Sequence, residues 1–126
     1  MFDGRDLDEA ERLVDDWQAG FEERAAQARA LSARLGSLTA TATSEDELVT
    51  VTVGASGAIS DLELEEGIRD RPATETARAI LATLREAQAS LTKAATEVTA
   101  ETIGADSETG KAVIASYVAR QGSVDD

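Results

Sequence analysis

Three arginines recur at intervals of seven residues in the second half of the chain, namely Arg71, Arg78 and Arg85. Seven residues are close to two turns of an α-helix, so these side chains are expected to form a stripe along one helix face. Guanidinium groups bind phosphate oxygens in a planar, bidentate geometry, and basic side chains supply most of the affinity for a nucleic-acid backbone. Lys93 adds a fourth cation to the same segment. The chemistry that this pattern favours is therefore contact with phosphates.

A second basic set precedes it, formed by Arg24, Arg29 and Arg34. Its spacing of five residues spreads the side chains around a helix, so it makes a poorer patch. The alternative for both sets is that the arginines solvate the surface and pair with nearby acids, such as those at positions 75 and 86. A dimer would bring two arginine stripes together, which is the best physical argument for DNA as a ligand.

The overall charge opposes that chemistry. The 126 residues carry 25 acids against 12 bases, a net charge of −13. The charge is uneven: residues 1–23 sum to −7, residues 24–43 to +3 and residues 44–68 to −7. Such a surface repels nucleic acid at long range and keeps the protein soluble. The acidic first 23 residues include Trp17 and Phe21, and they are a candidate docking surface for a basic protein partner.

Catalytic and metal chemistry is poorly supported. The chain contains no Cys and no His, which removes thiolates, imidazole bases and nearly all zinc sites. The run 54–57, Gly-Ala-Ser-Gly, lacks the spacing of a nucleophile elbow. Gly110-Lys111 is followed by Ala112, so it does not form a phosphate-binding loop. We therefore expect no catalytic residue, no metal and no cofactor.

The elements that must position these residues begin with a long helix. Apolar residues occupy both seam positions of five consecutive heptads, with one exception, Arg24; the two series are Leu7, Val14, Phe21, Ala28, Leu35 and Ala10, Trp17, Leu31, Leu38. The pattern predicts a helix over residues 6–36, roughly 50 Å long. A seam of this length requires a partner helix, most simply from a second copy of the chain. Arg24 either fixes the register or extends its head to water.

After this helix the period of the apolar residues changes from seven to two. Strands are predicted at 38–43, 48–53 and 58–64, joined by short polar turns into antiparallel hairpins. Ile59 has the opposite parity to Leu62 and Leu64, so either both faces of this strand are covered or a bulge near Ser60 shifts its register. A second long helix at 72–101 and a short one at 109–120 complete a single α+β domain.

The predicted dimer interface combines the helix seam with one face of the second strand. Its residues are Val14, Trp17, Phe21, Ala28, Leu31, Leu35, Val49, Val51 and Val53.

The central segment resembles the YbaB/EbfC family of bacterial nucleoid-associated proteins. The similarity is carried by the valine-rich run 48–53, the glycine turn 54–57, the strand 58–65 that ends in acids, and the Ala-rich helix 73–100. The resemblance implies a tweezer-shaped homodimer whose long helices project as arms, and DNA binding with modest sequence preference. The acidity of this chain departs from the basic face typical of DNA-binding proteins.

Two functions follow. The first is a non-enzymatic, dimeric DNA-binding protein of the nucleoid-associated type. The alternative is an acidic adaptor or chaperone-like dimer that binds a basic protein and no DNA, and the resemblance implies that such an adaptor could be associated with a secretion system. A signal peptide and a membrane-spanning stretch of about 20 apolar residues are both missing from the sequence pattern. We therefore expect a cytoplasmic protein, located at the nucleoid if it binds DNA, with no membrane partner.

Overall fold

The computed structural model describes residues 4–123, with side chains described for residues 7–120. Three helices and three strands follow in the order α1 (Gly4–Gly36), β1 (Ala40–Thr43), β2 (Val49–Val53), β3 (Ile59–Leu64), α2 (Ala73–Ile103) and α3 (Glu108–Ser123). A short 3-10 helix, Glu66–Asp70, connects β3 to α2. This confirms the predicted α+β class with long N-terminal and C-terminal helices. Within the described residues, none of the helices has the length and apolarity needed to cross a membrane.

The sheet is antiparallel with the strand order β1-β2-β3, so β1 and β3 are edge strands. β2 and β3 pair with a shift in register, because Asp61 lies opposite Thr52 while Ile59 lies opposite Val53. Ser60 is thus the extra residue of a bulge, which confirms one of the two predictions for this strand. The bulge places Ile59 on the same face of the sheet as Leu62 and Leu64.

The core lies between this sheet face and α2. Val49, Val51 and Val53 are fully buried, and α2 supplies Ala87, Leu91 and Ala95 to the same cluster. These valines were predicted to contact a second copy, and that prediction is corrected by their position inside one chain. Alternation along β2 turns all three to one face, and a helix of the same chain covers that face.

α2 is built for close packing on the sheet. The residues it buries recur every four positions and include two threonines, Thr83 and Thr99. Their hydroxyls donate hydrogen bonds of 2.7 Å to the backbone carbonyls of Ala79 and Ala95. A buried hydroxyl that is satisfied by its own helix costs little, so threonine can take the place of a small apolar residue here.

α3 closes the side of the core next to α1. Tyr117 is buried, and its hydroxyl donates to the backbone carbonyl of Ala55 at 3.3 Å, in the turn between β2 and β3. Val113 of α3 lines a shallow depression together with Leu31 and Leu35 of α1. Leu31 is buried and Leu35 half-buried, so the base of the predicted seam packs inside one chain. Leu31 therefore has little surface left for a second copy, whereas the contact of Leu35 with a second copy stays a prediction.

The rest of α1 projects from the body of the domain. Residues 7–23, which we call the arm, are exposed except for the half-buried Gly20. At 1.5 Å per residue the arm is about 25 Å long. Its large apolar side chains remain open to solvent, with Trp17 exposed to 68% and Phe21 to 60%. Ala28, next to the body, is exposed as well.

Candidate nucleic-acid interface

Arg71, the first member of the arginine stripe, is held by the body of the domain. It lies in the connector before α2, and its guanidinium forms an ion pair with the carboxylate of Asp46 in the turn between β1 and β2. The Ser44 hydroxyl, the Leu48 backbone N–H and Arg71 together lower the pKa of Asp46 from 3.8 to about 2. Because its charge is already matched, Arg71 is poorly placed to bind a phosphate.

Arg34 is also engaged within the chain. Its guanidinium donates to the carboxylate of Glu101 at 2.8 Å and to the hydroxyl of Thr102 at 2.8 Å. Both acceptors lie near the end of α2, so this contact fastens the base of α1 to α2. The ion pair is exposed and contributes little to stability, but it removes Arg34 from the set of open cations.

α2 itself carries the remaining cations of the arginine stripe, together with Lys93. Arg78 and Arg85 are exposed and lie two helical turns apart, about 10 Å along the axis. Lys93 is also exposed but follows Arg85 by eight residues, which rotates it by roughly 80° around the helix. Among the described residues, Arg78 and Lys93 make no ion pair. The exposed side of α2 therefore presents a short basic ridge, which we define as Arg78, Arg85 and Lys93.

Arg24 and Arg29 remain on α1 and do not join this ridge. Both are exposed. Arg24 borders a depression that also includes Ile103 at the end of α2 and Ser107 just before α3. Five residues of helix separate the two arginines, so they point about 140° apart. The structure thus divides the seven predicted DNA contacts into two engaged arginines, two dispersed ones and the basic ridge of α2.

One surface of the sheet was not predicted as a site. α2 covers β1 and β2, whereas the inward-facing residues of β3 remain partly exposed, with Ile59 and Leu64 at 44% and Leu62 at 41%. Leu81, exposed to 49%, lies on the side of α2 that carries Gln88, whose amide donates to the Gly57 carbonyl beside β3. We call these four residues, Ile59, Leu62, Leu64 and Leu81, the β3 surface. The sequence pattern did not indicate this surface, because the parity of Ile59 pointed to a bulge or to a strand covered on both faces.

Metal binding finds no support in the described part of the chain. It contains no group of three or more acidic, His or Cys residues arranged to hold a metal ion.

The protein is thus a small α+β domain in which one long helix projects from the body and the other long helix carries a basic ridge. The model of the YbaB/EbfC DNA-binding family matches residues 13–106. Since the match spans most of the chain, the protein belongs to the YbaB/EbfC DNA-binding family. Comparisons with curated proteins and with solved structures give no match. α3 lies beyond the matched residues.

Proposed function

We propose that this protein is a non-enzymatic homodimer that binds DNA through the basic ridge of α2. Membership of a DNA-binding family supports the ligand. The observation that carries the site is the exposed position of Arg78, Arg85 and Lys93 on one long helix. Among the described residues, Arg78 and Lys93 make no ion pair, whereas Arg34 and Arg71 do. In a two-fold dimer the ridge occurs twice, which gives a longer track for a phosphate backbone.

The β3 surface supports the dimer. β3 is an edge strand, so its outer backbone groups are available to another strand. Its apolar side chains lie beside the core and are only partly covered within the chain. A second copy that covers this surface would extend the core across the two-fold axis. The arm also has exposed apolar side chains, those of Val14, Trp17 and Phe21. They are available either to a second copy of the chain or to another protein.

DNA binding is tested by a mobility-shift titration of a mixed-sequence duplex across a salt series. We expect Arg78→Ala/Lys93→Ala to weaken binding and to reduce the slope of log K against log salt by roughly 3.6 per dimer, since each of the four lost phosphate contacts removes about 0.9. Arg24→Ala/Arg29→Ala removes the same charge from α1 and should leave the slope nearly unchanged. The absence of any shift at micromolar protein and low salt would refute the DNA proposal and favour the adaptor alternative.

The dimer is tested by light scattering. We expect the native chain to scatter as twice its mass of 13.2 kDa. Leu62→Asp introduces a charge into the β3 surface and should yield monomers, because an interface cannot bury an unpaired carboxylate cheaply. Thr41→Asp introduces the same charge on the opposite face of the sheet and serves as the control. A dimer that survives Leu62→Asp would show that the two copies meet elsewhere.

A further inference from the structure

The arm of α1 carries an apolar stripe that the body of the domain does not cover. Leu7, Val14 and Phe21 recur every seven residues, and Trp17 lies one turn before Phe21 with its ring stacked on it, the centroids 6.1 Å apart. All four side chains are more than half exposed. An isolated helix cannot bury its own stripe, so a stripe of this width is typical of a helix that docks against another helix.

Acidic residues form a wall along one flank of this stripe. Viewed down a helix with 100° per residue, Asp8, Glu11, Asp15 and Glu22 fall within about 60° of one another, directly beside the apolar face. Glu11 and Asp15 border a shallow depression whose other lining residues include Leu7 and Val14. An apolar floor next to carboxylates suits the side chain of a lysine or arginine, which lays its stem on the floor and directs its charge to the wall.

The opposite flank of the stripe is different. It carries Leu13 and Gly20, neither of which is charged. Gly20 also has no atom within 4 Å of the position that a Cβ would take, so a partner can approach closely there. The arm as a whole contains seven carboxylates and only one guanidinium, that of Arg12. The surface is therefore asymmetric, and a basic partner would be oriented by the wall.

A second copy of the chain does not supply that charge. In a pair of helices, the flank of one stripe faces a flank of the other. Within residues 7–23 the flanks offer Glu11 and Gln18 on one side and Leu13 and Gly20 on the other, with no lysine or arginine. The one cation of the seam, Arg24, lies at the base of the arm beside Ile103 and Ser107 of the body. Two copies would thus place carboxylates near uncharged groups or near each other. Charge complementarity favours a different chain.

We propose that the arm binds an amphipathic helix of another protein, one with apolar residues at heptad spacing and lysine or arginine along one flank. The apolar stripe supplies affinity, and the acidic wall selects for basic partners and fixes the direction of docking. This surface lies on α1, away from the basic ridge of α2, so failure of either proposal leaves the other standing.

The test uses the full chain and a labelled helical peptide of about three heptads, with leucine at the seam positions and lysine at the flanking positions. Trp17 is the only tryptophan of the protein, so its emission reports on the arm directly. We expect saturable binding by fluorescence anisotropy and a blue shift of Trp17 emission on the same titration. A peptide with glutamate in place of lysine should bind at least tenfold more weakly.

Two pairs of charge variants distinguish the wall from general attraction. Glu11→Gln/Asp15→Asn removes two charges from the wall and should weaken binding of the lysine peptide about tenfold, near 1.4 kcal/mol. Glu9→Gln/Asp16→Asn removes two charges from the far side of the same helix, and we expect a change within about twofold. All four residues are exposed, so the fold should persist, which circular dichroism checks.

Several outcomes would overturn the proposal. If both variant pairs weaken binding of the lysine peptide equally, the carboxylates of the wall act only by long-range attraction. If the glutamate peptide binds as tightly as the lysine peptide, the arm does not select its partner by charge. Binding without a shift of Trp17 emission would place the peptide elsewhere. Emission that is already blue-shifted without peptide, and moves to the red on dilution, would assign the stripe to a second copy of the chain.

Discussion

The arm and the body of this chain contain the same kinds of apolar residue but differ in what covers them. In the body, Val51 of β2 and Leu91 of α2 are buried because a helix lies across a sheet face. In the arm, Leu13 and Phe21 are exposed to 70% and 60% although they lie on a well-formed helix. The difference shows that an apolar pattern stabilises a domain only where a second layer of structure lies against it.

Charge follows the same division. The arm concentrates carboxylates on a surface that no described part of the body neutralises, whereas the acids and bases of residues 69–101 are equal in number. The body matches some of its charges at short range, as in the ion pair of Arg71 with Asp46. The acidic arm and the basic ridge of α2 are the two regions to which we assign binding.

The largest contrast is expected from removing one leucine in each region. Leu91→Ala takes a buried side chain out of the core and should lower the free energy of unfolding by about 2–5 kcal/mol, through lost burial and a residual cavity. Leu13→Ala removes the same atoms from the arm and should change the free energy of unfolding by less than about 0.5 kcal/mol. Urea unfolding measures both. Equal effects would mean that the arm is covered in the free protein.

A second contrast uses glycine. Gly110 is buried at the start of α3, where its N–H donates to the Ser107 hydroxyl at 2.9 Å. A Cβ on Gly110 would collide with the carbonyl oxygen of Gly104, so Gly110→Ala should cost about 1–3 kcal/mol and displace α3 from the core.

Gly20→Ala is the matched change in the arm. A Cβ there meets nothing, and alanine is the better helix former, so stability should rise by up to about 1 kcal/mol. Thermal melts of the two variants, followed by limited proteolysis of the C-terminal segment, give the comparison. A neutral Gly110→Ala would show that α3 does not depend on this close approach.

The smallest effect concerns pH. The pKa of Asp46 in the folded protein lies near 2, below its ordinary value of 3.8, so the ionised form favours folding above about pH 4 and this contribution is lost as the pH falls toward 2. Asp46→Asn should therefore lower the melting temperature at neutral pH, and the difference from the native chain should shrink between pH 4 and pH 2.

Asp15→Asn makes the same chemical change on the exposed arm. We expect little change in melting temperature at neutral pH, since no described partner holds this carboxylate. Calorimetry at several pH values follows both variants. The melting temperatures of Asp46→Asn and of the native chain could instead differ by the same amount from pH 4 to pH 2. That result would mean that the variant is destabilised by a lost hydrogen bond and not by the lost charge.

Local patterns in the sequence were sufficient to predict the secondary structure and its order. The heptads of residues 7–35 predicted one long helix, and the alternation at 48–53 predicted the central strand. The parity of Ile59 left two alternatives, a strand covered on both faces or a bulge near Ser60, and the structure has the bulge. These signals are local, because helix and strand periods repeat over a few residues. The similarity to the YbaB/EbfC family was likewise carried by strand and turn residues, and the family match confirms it.

What the tertiary structure decided is which partner each surface finds. The sequence pattern led us to assign Leu31 and the valines of β2 to a second copy, and only the positions of α2 and α3 show that they are buried within one chain. Likewise, nothing in the spacing of Arg71 and Arg34 indicated their ion pairs with Asp46 and Glu101. Contacts between residues distant in sequence depend on how the layers pack, and a local period does not encode that.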